Sequence, residues 1–157
     1  MGEPVEDMPP LPAGLVAIGR LRTPWSAADC PKNPAEARAR DRGARAEIAP
    51  AYRAGLEGLR AGQPVILQCW FHGARRDLLR LQPAHRAQPT GVFALRAPAR
   101  PNPIGLIVAR IVALDVEAGC LDLDAADCWD GTPILDLRPW LAGADLPGPA
   151  RARDPAG

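Results

Sequence analysis

The chain has 157 residues, 47% of them apolar, and its 19 Lys and Arg against 18 Asp and Glu leave a formal net charge of +1. That length suits one domain with a real core but not two, and the apolar content excludes a disordered chain. Near-balanced charge excludes nucleic-acid binding through the overall field, so any contact with RNA must come from a local basic patch.

Lys32 is the only lysine, so the cationic content is almost all arginine. Arginine suits bidentate contacts with phosphate and carboxylate, although genome composition produces the same bias. Cys30, Cys69, Cys120 and Cys128 form no Cys-x-x-Cys pair, and none is grouped with a histidine at ligand spacing. Free thiols in a reducing compartment and no metal site are expected. Met1 to Pro12 is acidic and proline-rich, without the basic and apolar regions of a leader. No apolar run reaches the ~20 residues that span a bilayer, so a soluble, cytoplasmic protein without membrane contact is expected.

Residues 1–14 and 142–157 read as Pro-, Gly-, Ala- and Arg-rich tails around a domain at 15–141; the tails are either mobile or clasp a neighbouring subunit. Leu15 to Leu21 alternates weakly and predicts a first strand, stopped by Thr23-Pro24. Trp25 to Ala46 has no clean apolar period. Its crowd of Arg38, Arg40, Arg42 and Arg45 is either a solvated face or an RNA-facing loop. Ile48, Tyr52, Leu56 and Leu59 predict a short amphipathic helix or turn. Pro64 to Phe71 reads as a strand buried on both sides, and Gly91 to Leu95 as another short strand. Leu106 to Val116 and Gly119 to Leu123 predict an antiparallel pair turning through Glu117-Ala118-Gly119. Ile134 to Leu137 is a last short strand. Together these predict an all-β fold, a compact antiparallel β-barrel or sandwich with short helical insertions. There is no βαβ rhythm and no Gly-x-Gly-x-x-Gly after the first strand, so a Rossmann fold is not expected.

Two segments carry chemistry. In Gly91 to Leu106, three prolines (Pro98, Pro101, Pro103) stiffen an extended connection that also presents Arg96, Asn102 and Arg100. Such a loop either holds a zwitterionic, sulfonium-bearing ligand, carboxylate to arginine and positive sulfur to oxygens, or is a proline-stiffened crossover. In Asp127 to Trp140, Asp130-Gly131 followed by Thr132-Pro133 marks a turn whose backbone either bonds an adenine or ribose edge or simply reverses the chain.

Taken together, Phe93-Ala-Leu-Arg-Ala-Pro-Ala-Arg-Pro-Asn-Pro-Ile-Gly-Leu106 and Asp130-Gly-Thr-Pro-Ile-Leu-Asp-Leu-Arg-Pro-Trp140 closely resemble the paired signature of the TsaA-like (YaeB, TrmO) family. Ile18-Gly19, Thr23-Pro24-Trp25, Glu57-Gly58-Leu59 and Trp70-Phe71-His72 fit it too, so the resemblance spans roughly Leu15 to Leu141. It implies a TsaA-like barrel that works as a homodimer with S-adenosyl-L-methionine as cofactor. The implied reaction methylates N6 of threonylcarbamoyl-adenosine beside the anticodon, with the tRNA anticodon loop as partner. It places cofactor contacts on Pro31, Lys32 and Asn33, on His72 and Gly73, on Arg96 and Leu106, and on Cys128, Trp129, Asp130 and Gly131; Asn102, rigid between two prolines, joins them. His72 is the candidate base, or a hydrogen-bonded residue of an apolar run. Asp130 is assigned to the cofactor ribose, and Arg75, Arg76 and Arg80 to an RNA-facing patch or a solvated surface. Where the family usually reads Pro-Arg-Gln this chain has Pro31-Lys32-Asn33, and Gly73 stands where glutamine is common. The alternatives are the same barrel and cofactor with a small-molecule acceptor, and a non-catalytic S-adenosylmethionine-binding module.

Overall fold

The computed structural model describes residues 11–148. Eight strands, two short α-helices and two 3-10 helices make up the described chain, which agrees with a mainly β expectation. In order they are β1 (Gly19–Arg22), α1 (Pro34–Ala39), β2 (Ala44–Ile48), a 3-10 helix (Pro50–Leu56), β3 (Pro64–Trp70), β4 (Arg80–Leu81), β5 (Thr90–Gly91), a 3-10 turn (Val92–Ala94), β6 (Ile104–Asp115), β7 (Cys120–Leu123), β8 (Pro133–Pro139) and α2 (Ala142–Asp145). Six strands pair in the order β1-β2-β7-β6-β3-β8, and β8 returns to β1, so the sheet closes on itself. All pairings are antiparallel.

Period-2 alternation builds the core. Along β6, Gly105, Ile107, Ala109 and Ile111 point inward while Ile104, Leu106, Arg110 and Val112 stay exposed. β3 lies between β6 and β8 and sends Val65, Leu67 and Cys69 inward; Ile66 and Trp70, on its other face, are covered as well. Leu21, Ala46, Ile48, Leu121, Leu123 and Ile134 fill the rest of the interior.

Three local expectations change. The strand expected at Gly91 to Leu95 is two residues of β5 followed by a 3-10 turn. Val92 is 1% exposed and its amide donates to Leu79 O at 3.0 Å, while the Arg100 guanidinium gathers the carbonyls of Val92, Leu95 and Ala97 at 3.2, 2.6 and 2.9 Å. Those bonds curl the chain into the proline-rich connection. Ile48 ends a strand, β2, instead of opening a helix, and the 3-10 helix begins at Pro50. β2 is hidden in the sequence because its outward residues, Arg45 and Glu47, resemble a charge run and its inward ones include two alanines. Finally, α2 falls in the segment expected as a tail, and Asp145 Oδ2 in its last position accepts from the amide of Leu141, the residue before the helix, at 2.6 Å. The expected N-terminal tail lies mostly outside the described residues.

The arginine crowd at residues 38–45 neither faces bulk solvent alone nor forms a free cationic loop. Arg38 pairs with Asp124 at 2.7 Å, Arg45 with Asp122 at 2.7 Å, and Arg40 with Glu36. Arg40 and Arg42 also lie over the Trp25 ring, at 5.3 and 5.4 Å from its centroid.

Leu67 has no solvent exposure and pairs across to Ile107 on one side and Leu137 on the other. Truncation there leaves a cavity that rigid flanking strands cannot collapse. Leu67→Ala is expected to lower the unfolding free energy by about 2–5 kcal/mol in urea titration with an unchanged m-value.

Candidate functional site

A cleft of about 430 Å³ opens at one end of the closed sheet. Four pieces of chain line it: Cys30 to Lys32 before α1, Phe71 to Arg75 after β3, Arg96 with Pro98 and Ala99, and Asp127 to Trp129 with Thr132 before β8. The volume lies within the range of small-ligand sites, and the wall is mostly apolar with a few polar groups converging on it.

Local physics fixes each wall. Asn33 is the N-cap of α1; its Oδ1 accepts from Glu36 N at 2.9 Å while Glu36 Oε2 accepts from Lys32 N at 3.1 Å. This reciprocal arrangement holds Pro31 and Lys32 at the rim. Phe71 lies where a β-carbon on Gly105 would meet its ring at 2.1 Å, so the ring depends on the missing side chain of β6. A β-carbon on Gly73 would likewise come within 2.7 Å of Trp129 Cζ3. Trp129 is 40% exposed, and its indole packs along one edge on that glycine.

The 126–132 wall is stitched to the start of the chain. Trp25 Nε1 donates to Ala126 O at 2.9 Å, and Thr23 Oγ1 to Cys128 O at 2.8 Å. The Asp130 carboxylate accepts from Thr23 N at 3.1 Å and from Arg22 Nη1 at 3.4 Å, and Gly131 N donates to Leu21 O at 2.8 Å. Thr132 Oγ1 closes the turn on Trp129 O at 2.7 Å.

Seven residues expected at the site therefore meet in one cleft: Pro31, Lys32, His72, Gly73, Arg96, Cys128 and Trp129. Five are not among its lining residues. Asn33 caps α1, Asn102 Oδ1 accepts from Arg76 Nη2 at 3.4 Å, and Asp130 and Gly131 tie the turn to β1. Leu106 offers its carbonyl to Arg96 Nη2 at 3.0 Å, which holds that guanidinium at the cleft.

Eight further residues line the cleft, and among them Asp127 is the single carboxylate of the lining. The available signal was an acid placed between Ala125-Ala126 and Cys128-Trp129 in an otherwise apolar run. Burial raises its pKa above the ordinary 3.8, partly offset by its own backbone amide and by Arg96 and Arg38. Burial also pushes the Cys30 thiol up to about 11 and the Cys128 thiol up to about 12. Both stay protonated at neutral pH, so the cleft offers no thiolate nucleophile. What it offers is an apolar slot with an exposed indole, and with guanidinium groups, one ammonium, one carboxylate and one imidazole among its lining side chains. Among the described residues no group of three or more His, Cys, Asp or Glu could hold a metal ion, and no helix is long and apolar enough to cross a membrane.

Residues 20–146 match the model of a family described as the tRNA-methyltransferase O N-terminal domain. The probable S-adenosyl-L-methionine-binding protein VirR of Rhizobium radiobacter is 35% identical over 128 residues, covering 81% of this chain and 70% of its own. A tRNA (adenine(37)-N6)-methyltransferase of Mus musculus is 48% identical over 58 residues, 37% of this chain and 13% of that protein. The crystal structure of TrmO from Pseudomonas aeruginosa aligns with a TM-score of 0.69 at 33% identity over 90% of this chain. This chain spans 61% of that crystallised one.

The raised Asp127 pKa has a sign that can be measured. The folded protein keeps that proton over a pH range in which the unfolded chain, near 3.8, has lost it. Stability from this group therefore falls as pH rises through that range, and at neutral pH the buried charge is a cost. Asp127→Asn is expected to raise the thermal midpoint at neutral pH and to leave it unchanged at about pH 3, where both states hold the proton. An equal change at both pH values would assign the effect to packing.

Proposed function

Because the chain belongs to the family of tRNA-methyltransferase O N-terminal domains, we propose that it transfers a methyl group from S-adenosylmethionine to N6 of threonylcarbamoyl-adenosine beside the anticodon of a tRNA. In the same reading it acts as a homodimer in the cytoplasm. The observation that carries the proposal is the cleft, where seven residues drawn from four separate stretches of sequence converge. Since the chain spans only part of the crystallised TrmO, the whole enzyme's activity and substrate belong to the proposal.

The lining residues fit this cofactor. The exposed Trp129 indole and the Phe71 ring offer apolar faces to an adenine, and Lys32 and Arg96 offer positive charge to an amino-acid carboxylate. Asp127 supplies the one group of opposite sign for a ligand that also carries cationic centres. When bound, S-adenosylmethionine supplies a methyl group on positive sulfur, open to direct displacement. The protein's own task is then to hold donor and acceptor in line in a site screened from water. Orientation of that kind is worth ~7–11 kcal/mol. The acceptor nitrogen bears a proton that leaves as the new carbon–nitrogen bond forms, and His72 at the cleft wall takes it. Asn33, Asn102, Leu106, Asp130 and Gly131 act at one remove, fixing the rim, the Pro-rich connection and the turn.

VirR is named for binding alone, which favours a second reading: the same cleft with a small-molecule acceptor, or binding without transfer. The readings separate in one assay. Labelled methyl from S-adenosylmethionine, offered with total tRNA from a strain lacking its own enzyme, is expected to appear in methylated threonylcarbamoyl-adenosine on nucleoside analysis. Cofactor binding without any labelled nucleoside would sink the tRNA reading.

Arg96→Ala is expected to weaken cofactor binding by ~1.5–3 kcal/mol, as for loss of a hydrogen bond to a charged group. Titration calorimetry on the folded variant measures it, and unchanged affinity would remove Arg96 from the binding set.

A further inference from the structure

The fold treats two sets of arginines differently. On the closed sheet and α1 most guanidinium groups meet carboxylates: Arg20 and Arg22 share Glu47, Arg38 meets Asp124, and Arg45 meets Asp122. The excursion between β3 and β6 is built otherwise. Residues 72–102 hold six arginines and one carboxylate, Asp77, in a chain whose total charge is only +1. Arg75 takes Asp77. Arg76, Arg80, Arg96 and Arg100 donate to backbone carbonyls of Pro101, Pro89, Leu106 and Leu95, which satisfy their hydrogens without neutralising their charge. Arg86 has no side-chain partner among the described residues.

The same excursion exposes its largest apolar groups. Phe93 is 82% exposed and Leu79 65%. β4 and β5 form a small separate hairpin with Arg80 opposite Gly91, and Val92 N bonds to Leu79 O at 3.0 Å. Arg80, Arg86 and Phe93 therefore belong to one substructure: Arg80 on a strand, Arg86 in the loop at its tip, Phe93 just past the second strand. Arg96, Pro98 and Ala99, further along the same excursion, wall the cleft.

Guanidinium groups without acids, an exposed ring and continuity with the cleft describe a surface for a flexible polyanion with unstacked bases. An aromatic face stacks on any unpaired base, and unneutralised arginines track the backbone phosphates. We infer that the β4–β5 hairpin and the Phe93 turn form the docking surface for a single-stranded RNA loop, with Arg80 and Arg86 on phosphates and Phe93 stacked on an unpaired base. This rests on the tRNA reading above and extends it to residues outside the cleft. It also explains how a chain of nearly balanced charge can hold RNA: the excess positive charge is gathered on one excursion and the remainder of the chain is net acidic.

The experiment is fluorescence anisotropy of a labelled anticodon stem-loop RNA with the full chain across a series of salt concentrations. The unaltered protein is expected to bind with an affinity that falls linearly in log salt. An Arg80→Ala, Arg86→Ala double variant is expected to flatten that slope by about 1.4, two single-strand phosphates at roughly 0.7 each. Phe93→Ala is expected to bind about tenfold more weakly with its slope unchanged. Thermal midpoints matching the parent confirm folding, and Arg86→Glu, at a side chain without a partner among the described residues, repeats the charge test if the double variant unfolds. Parent-like affinity and slope in all variants would overturn the docking surface while leaving the tRNA reading standing. No RNA binding by the unaltered protein would overturn both. If polyglutamate displaces the RNA at equal charge and Phe93→Ala binds as the parent does, the surface fits an acidic protein and the RNA inference fails.

Discussion

Closure of the sheet rests on β1, a strand of four residues that must pair on both edges. Its registered pairing with β8 covers only Gly19 and Arg20. Single backbone bonds continue that seam: Ile18 N to Ile134 O and Leu21 N to Thr132 O, each 2.8 Å, Gly131 N to Leu21 O at 2.8 Å, and Asp130 N to Trp25 O at 3.0 Å. Thr23 and Trp25 then reach further, to the carbonyls of Cys128 and Ala126. The contacts that close the sheet are thus the contacts that hold one wall of the cleft. Leaving a buried carbonyl such as that of Ala126 without its donor costs the desolvation of that group, about 1–3 kcal/mol. Closure and site geometry stand or fall together.

The cleft's chemistry follows from its apolar walls. Removing water penalises charge, so thiols there stay protonated and the carboxyl of Asp127 is harder to ionise. The Arg96 guanidinium avoids much of that penalty because it lies at an exposed position and donates to the Leu106 carbonyl. A site of this kind favours positioning of a charged ligand over covalent catalysis, which is the demand that direct methyl transfer makes of a protein.

Charge allocation separates the two halves of the molecule's work. Glu47, Asp122 and Asp136 on the closed sheet each face an arginine of the same sheet, where exposed pairs contribute little to stability but offset one another's charge. The excursion between β3 and β6 has one carboxylate for six arginines, and it both walls the cleft and projects beyond it. A total of +1 conceals this division.

The sequence by itself determined the β-rich class, the antiparallel β6–β7 pair and the buried β3, because period-2 alternation and continuous apolar runs are local signals. It also identified the family, because two proline-marked segments of fixed order carry far more information than either does alone. Seven cleft residues were legible through that resemblance. The tertiary structure alone decided that Asp130 and Gly131 serve the seam with β1, since Thr23 and Arg22 lie more than a hundred residues away in the chain. It decided that Asp127 lines the cleft, since an acid's exposure depends on walls contributed by distant segments. It also decided that Arg38 and Arg45 meet acids while most arginines of residues 72–102 do not: both segments read as runs of arginine, and only the fold brings Asp124 and Asp122 to the first and leaves the second with Asp77 alone. Local pattern specifies which face of a strand turns inward; charge pairing and cleft geometry are set by long-range contacts, which no window of sequence contains.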